Sequence, residues 1–397
     1  MEGFRLIERI GLTNLLSFGP KGLALELEPL NVLIGPNASG KSNLIAALSL
    51  LHAVPSDLSV PIREGGGIAE WLWKGGGDGA EAKLEVVARI GKLGPVVHEL
   101  RIEHAVPSTK LCFEMVKRND GVLAAHPAGG AAGVVTAESP GGPGQPDDTP
   151  SLRTLNEREL PSGRSLLSLG LDRAHYPSLS ELADAYGRIA VYSDWKLGPK
   201  CPVRQWQPAD MPADFLLPDA LNVALVLNDL GYRGSVMDRI VQLMRRLNEG
   251  FDRVSVRVGS GMVQLFFHEN GMEQPIPATR ISDGTLRFLC LLSILCHPEP
   301  PPLICIEEPE LGLHPDMIRT VAELLIEASQ RAQLIVTTHS DLLVSALDDV
   351  PEAVVVFERG PNGSEARRLE PGKLRDWLKR YSLGEMWLSG ELGGTRW

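Results

Sequence analysis

The run LNVLIGPNASGKSNLIAALSLL constrains this chain more than any other stretch. Leu30–Ile34 reads as a buried strand that ends at Gly35; after four intervening residues come Gly40, Lys41 and Ser42. Leu44, Ile45, Leu48 and Leu51 then recur at helical spacing. Strand, glycine-rich turn and helix in that order are the context a P-loop requires. Gly35, Pro36, Asn37, Ala38, Ser39 and Gly40, with Lys41, Ser42 and Asn43 at the helix start, form the expected phosphate cradle. Glycine lets the backbone come close, and N–H groups at a helix N-terminus attract a β-phosphate. Lys41 is expected to reach the β- and γ-phosphates, and the Ser42 hydroxyl to bind Mg²⁺. The implied cofactors are ATP and Mg²⁺.

A second stretch, PPLICIEEPELGLHP, raises a question of its own. The apolar residues Leu303–Ile306 run straight into Glu307 and Glu308, although carboxylates are rarely buried unpaired. A P-loop site needs an acid on the metal side and a base for the attacking water, and this strand end offers both. Glu307 is expected at the metal and Glu308 as the base. The bland alternative for these acids is helix capping, since Pro315 sits where a helix would begin. Glu310 is either a loop acid that meets a partner or a solvated charge. About thirty residues on, QLIVTTHSDLL ends an apolar strand in Thr337, Thr338, His339 and Ser340. If that strand neighbours the acidic one, His339 emerges at the same carboxyl edge and can donate a hydrogen bond to the γ-phosphate.

Elsewhere the chain alternates readable elements. AKLEVVARI, PVVHELRIEH and LCFEMVKR predict an antiparallel meander, and AAHPAGGAAGVVTAESPGGPGQPDDTP predicts a mobile surface loop. A strand in GRIAVYSDW, helices in PDALNVALVLNDL and SVMDRIVQLMRRL, and strands in RVSVRV and MVQLFFHE lead to an apolar helix, LRFLCLLSILC. The closing βαβ rhythm with apolar strands implies a parallel sheet covered on both faces. Residues 1–195 and 281–397 are expected to form the two parts of one head, with a helical lobe and hairpin in residues 196–280. The fold class is therefore α/β, a mixed sheet with an antiparallel β-meander and a helical lobe.

Composition narrows the partners. Lys and Arg number 39 against 50 Asp and Glu, a net charge of −11, so nucleic-acid binding would need a local basic face. No apolar run reaches membrane-spanning length, and MEGFRLIERI lacks the pattern of a signal peptide. A cytoplasmic, non-membrane setting is expected, with Cys112, Cys201, Cys290, Cys296 and Cys305 as reduced, buried thiols.

Upstream of the acidic strand, ISDGTLRFLCLL places Ser282, Asp283, Gly284 and Thr285 at a helix start. A Ser–x–Gly turn there is a second anion cradle. The order P-loop, ISDGT, ICIEEPELGLHP, TTHS resembles the ABC-type ATPase heads of the SMC, RecF and OLD-like group, above all its stand-alone bacterial members. The closing YSLGEMWLSGELGG is similar too, and the likeness covers almost the whole chain. It implies an ATP-dependent homodimer in which Gly35–Ser42 of one chain and Ser282–Gly284 of the other hold each nucleotide. Asp283 departs from the glycine common at its position, and Glu307 from the commoner Asp. The lobe-linking glutamine of such heads could be Gln205 or Gln207, each equally well a polar loop residue. Phe18 either lies under the adenine or belongs to the core. Arg63–Gly77, with two tryptophans among glycines, suggests a mobile contact loop.

Two functions stay open at this point. One is an ATP-gated dimer in DNA repair or genome defence that binds DNA or a nuclease or effector partner. The other is a slowly hydrolysing, nucleotide-switched scaffold for a protein partner. A basic face would separate them; Arg245/Arg246 and the stretch Arg367–Arg380 are candidates for it, or else solvated helix faces.

Overall fold

Period-two alternation builds the larger sheet. In a computed structural model of the chain, residues 3–75, 81–91, 93–105, 108–119, 121–126, 133–136, 152–155, 159–160, 163–193, 195 and 197–394 are described. They form two units.

The P-loop unit comprises Arg5–Ile189, Val355–Leu369 and Leu392–Trp397. Its first strands are β1 (Ile7–Thr13), β2 (Leu23–Glu26) and β3 (Leu30–Ile34), followed by helices α1 (Lys41–Ala53), α2 (Ser59–Glu64) and α3 (Ile68–Trp71). The meander follows as β4 (Ala82–Ile90), β5 (Gly94–Ala105), β6 (Ser108–Arg118), β7 (Gly121–His126), β8 (Gly133–Thr136) and β9 (Leu152–Leu155). An antiparallel sheet runs in the order β2-β1-β4-β5-β6-β7-β8-β9. Alternate residues of β4, Ala82, Leu84, Val86, Ala88 and Ile90, are buried, as a strand with one covered face demands. Helix α4 (Pro177–Gly187) packs on β4, β7 and α1. Its Tyr186 hydroxyl lies 3.3 Å from His98 Nδ1, and His98 Nε2 lies 3.1 Å from the Glu114 carboxylate. Glu114 also accepts from Ser165 Oγ at 2.5 Å and Leu166 N at 2.7 Å, so this buried acid is fully engaged. Strand β3 is buried along its whole length and lies beside β17 (Val354–Gly360), which pairs antiparallel with β18 (Gly363–Arg368).

One open choice closes in this unit and two expectations change. Phe18 is fully buried and bridges to Leu15 and Gly363, which makes it a core residue. Trp71 is buried as well, and Leu16 N donates to Trp71 O at 2.6 Å, so most of the glycine–tryptophan stretch is folded structure. Within the Gly/Pro-rich run, Gly133–Thr136 forms β8, paired with β7 and β9. Gly76 and Gly77, and residues 127–132 and 137–150, lie outside the described residues.

The acidic-strand unit comprises Met1–Phe4, Ala190–Val354 and Glu370–Glu391. Strands β10 (Ala190–Tyr192), β15 (Leu303–Glu307) and β16 (Gln333–Thr337) run parallel, with Tyr192 opposite Ile306 and Glu307 opposite Thr337. A small antiparallel sheet holds β11 (Gln207–Pro208), β12 (Phe251–Gly259), β13 (Met262–Glu269) and β14 (Ile276–Pro277). The helices are α5 (Val223–Gly231), α6 (Ser235–Leu247), α7 (Asp283–Leu295), α8 (Pro315–Ala328), α9 (Asp341–Ser345), α10 (Pro371–Leu374) and α11 (Leu383–Leu388). Phe288 to Leu295 are all buried because α7 packs against α5, α6 and α8. The closing segment docks on α9: Leu383 N donates to Asp348 at 2.7 Å, and Ser382 caps α11 reciprocally with Glu385. All five cysteines are free, and all but the half-buried Cys296 are buried.

Candidate functional site

The first cluster is the loop before α1. Ala38 (φ 64°) and Gly40 (φ 109°) both take the left-handed region, which is unusual for a residue with a Cβ. At Gly40 a Cβ would strike the Ser364 side chain, so glycine is required there twice over. Asn37, Ala38 and Ser42 are exposed, Pro36 and Asn43 half-buried, and Gly35, Ser39, Gly40 and Lys41 buried. The Lys41 ammonium donates to Gly35 O at 2.7 Å and Pro36 O at 3.1 Å, which folds it onto its own loop. Helix α1 starts without a side-chain cap and without an acid in its first turn. Ser39 Oγ is buried with no hydrogen-bond partner among the described residues. An ammonium, two serine hydroxyls and an uncapped helix start are a donor set that fits a polyphosphate.

The second cluster stands at the carboxyl edge of β15 and β16, where the parallel register ends with Glu307 opposite Thr337. Glu307 is half-buried. Glu308 is the next residue and takes φ 46°. Such a conformation is costly for a residue with a Cβ, and strain of this kind gathers at functional sites. It is held because Glu308 N donates to Thr337 O at 3.0 Å and to Thr337 Oγ1 at 3.3 Å. The half-exposed Glu308 carboxylate lies 3.8 Å from His339 Nε2. The half-buried Glu310 is engaged within the chain: it accepts from Thr338 Oγ1 at 2.6 Å and His339 N at 3.0 Å. The two loops that follow the strands are thereby tied together, and His339 is placed beside Glu308. The helix-capping alternative falls to another residue, since His314 caps α8 by accepting from Asp316 N.

The third cluster is the Ser–x–Gly turn. Ser282 is exposed and is the N-cap of α7, where it accepts from Thr285 N at 3.1 Å. Gly284 cannot be replaced without movement, because a Cβ would come within 2.6 Å of Gly312 O. The departure at Asp283 has a physical cause that sequence alone did not reveal. Its carboxylate pairs with Arg204, a buried arginine whose guanidinium also donates to Leu197 O and Ala278 O, each at 2.9 Å, and to Ile281 O. Arg204 thus pins the backbone leading into the turn. The only signal for it in the sequence is its place directly before Gln205. Gln205 itself is exposed at the end of a single 3₁₀ turn, and Gln207 is buried and donates to Val203 O at 2.9 Å.

Arg204→Leu is expected to cost on the order of 3 kcal/mol or more, because two buried carbonyls and a part-buried one lose their donor. Asp283→Ala should cost under about 1 kcal/mol, since its carboxylate is mostly exposed. Urea unfolding of both variants checks the difference; equal costs would contradict this account of the turn.

Among the described residues, no group of three or more His, Cys, Asp or Glu side chains gathers as a metal site, and no helix is long and apolar enough to cross a membrane.

Fold and motifs together define the class: a P-loop ATPase head of the ABC type, with a mixed sheet, an antiparallel meander and a helical lobe. The family model described as "AAA domain, putative AbiEii toxin, Type IV TA system" matches residues 30–95 and 146–345, and the chain belongs to that family. Solved SMC heads share its fold. The Smc head bound to the C-winged helix domain of ScpA aligns with a TM-score of 0.56 at 14% identity, over 93% of this chain and 99% of that one. The Pyrococcus furiosus Smc head with an extended coiled coil, bound to the C-terminal domain of ScpA, gives 0.57 at 13%, over 95% and 99%. The Pyrococcus yayanosii Smc head with a coiled coil and joint gives 0.52 at 12%, over 94% and 99%.

Proposed function

We propose that the chain binds and hydrolyses ATP with Mg²⁺ as an SMC/RecF-like ATPase whose two copies close on two nucleotides. The observation that carries hydrolysis is the strained Glu308, anchored by Thr337 and set 3.8 Å from His339 Nε2. In this reading the Lys41 ammonium turns from the carbonyls of Gly35 and Pro36 to the phosphates, with backbone N–H groups of the Gly35–Asn43 loop beside it. Ser42 and Glu307 hold the magnesium ion, which neutralises phosphate charge when bound. Glu308 takes the proton of the attacking water, and His339, kept in place by Glu310, donates to the γ-phosphate. Gln205 and Gln207 remain the proposed candidates for the lobe-linking glutamine, with exposed Gln205 the freer of the two to reach a ligand.

Ser282 and Gly284 are proposed to act on the nucleotide of a second copy. Ser282 is exposed, and the turn behind it is held rigidly by Arg204. Ser282→Arg is expected to leave ATP binding to one chain intact while abolishing ATP-dependent dimerisation. Light scattering with ATP and Mg²⁺ reads this out; normal dimerisation of the variant contradicts the facing-subunit arrangement.

The biological setting we propose is cytoplasmic, in genome defence or DNA repair. The family description names a toxin of a Type IV toxin–antitoxin system, which favours defence. A protein partner is the second reading, favoured by the two SMC heads solved with domains of ScpA.

A further inference from the structure

We propose that the exposed strip Lys373–Trp377–Arg380–Tyr381, with Arg375 beside it, binds single-stranded nucleic acid. This surface gives the DNA reading above a place on the chain, and it uses none of the residues assigned to ATP. Residues 371–381 follow β18 as α10 and further helical turns, in which Leu378 N donates to Leu374 O at 2.9 Å and Tyr381 N to Trp377 O at 3.0 Å. Leu374 and Leu378 are half-buried, whereas Lys373, Trp377, Arg380 and Tyr381 are exposed. At this spacing the latter four share one face.

Trp377 is 47% exposed and Tyr381 49%, and their ring centroids stand 6.0 Å apart. Two large rings held next to each other at the surface offer adjacent π-faces on which bases can stack. The charge is equally distinctive. Residues 371–381 carry Lys373, Arg375, Lys379 and Arg380 against Asp376 alone, in a chain of net charge −11. Lys373 pairs with Glu370 and Lys379 with Asp376, each at 2.7 Å, while Arg375 and Arg380 have no side-chain hydrogen bond or ion pair among the described residues.

The other basic candidates are committed elsewhere. Arg245 donates to Phe251 O at 2.9 Å, Arg246 pairs with Glu323 at 3.4 Å, Arg367 donates to Leu392 O, and Arg368 to Glu26 O at 2.8 Å. Exposed rings flanked by unpaired guanidiniums complement a polyanion whose bases are open, which is a single strand rather than a duplex. An acidic protein would satisfy the arginines and leave the paired rings without a task.

Fluorescence anisotropy on the full chain tests the strip with labelled 20-mers of dT and rU and a 20-base-pair duplex, at two salt concentrations. Single strands are expected to bind more tightly than the duplex. Trp377→Ala should weaken them roughly 5- to 100-fold. Arg375→Gln with Arg380→Gln should lower the slope of log affinity against log salt by about 0.7 per arginine. All these side chains are exposed, so thermal melting and calorimetric ATP binding should match the wild type. Stronger duplex binding, variants that bind like the wild type, or a strip needed only for an acidic protein partner would each overturn the proposal. A wild type that binds the 20-mers but releases no phosphate from ATP contradicts the ATPase reading and leaves this surface standing; the reverse pattern overturns the surface alone.

Discussion

Replacing Glu308 by glutamine is expected to cut ATP turnover by roughly 10²–10⁴, the range for lost acid–base catalysis. Glutamine matches the size of glutamate and keeps the backbone bonds to Thr337, so the left-handed turn should persist. What disappears is the capacity to take a proton. ATP-bound dimer should then accumulate on a sizing column, because binding precedes the blocked step. Glu307→Gln should behave differently. A neutral amide is a poorer ligand for a hard cation, so the Mg²⁺ concentration required for activity should rise. Titrating Mg²⁺ at saturating ATP in both variants separates the two acids. Exchanged behaviour would reverse the assignment, and full activity in Glu308→Gln would make the paired glutamates structural.

Lys41→Ala is expected to weaken ATP binding at least tenfold, in line with loss of a charge-assisted bond to phosphate. The lysine is buried, and its ammonium donates to two carbonyls of its own loop, Gly35 O and Pro36 O. The melting temperature should therefore stay close to that of the wild type. Isothermal titration calorimetry with ATP reads the effect. Unchanged affinity in a normally folded variant would contradict the P-loop assignment.

The parts of the site that were legible in the sequence are the contiguous ones. A P-loop declares itself in eight residues because its chemistry is backbone chemistry, and the neighbouring strand and helix are patterned apolar. The acidic strand end and the Thr–Thr–His–Ser turn were legible for the same reason, and β15 and β16 do pair in parallel with their ends in register. Pairings between distant residues were not. Arg204 meets Asp283 across 79 positions, and Glu310 meets Thr338 across 28, and nothing in either local pattern marks the partner. The choice between adenine platform and core stayed open for Phe18, because a lone aromatic beside glycine carries no sign of its burial. Helix α4, by contrast, carries a usable signal in its sequence: Pro177 at its start and Leu179, Leu182 and Tyr186 on one buried face.

The central claim is that this chain hydrolyses ATP with Lys41 as its phosphate anchor and Glu308 as its base. Phosphate release from ATP and Mg²⁺ by the wild type, measured beside Lys41→Ala and Glu308→Gln at matched concentration, tests it most directly. The account predicts steady release by the wild type and almost none by either variant, with Glu308→Gln still binding ATP. Equal release by all three proteins, or none by the wild type, would contradict it.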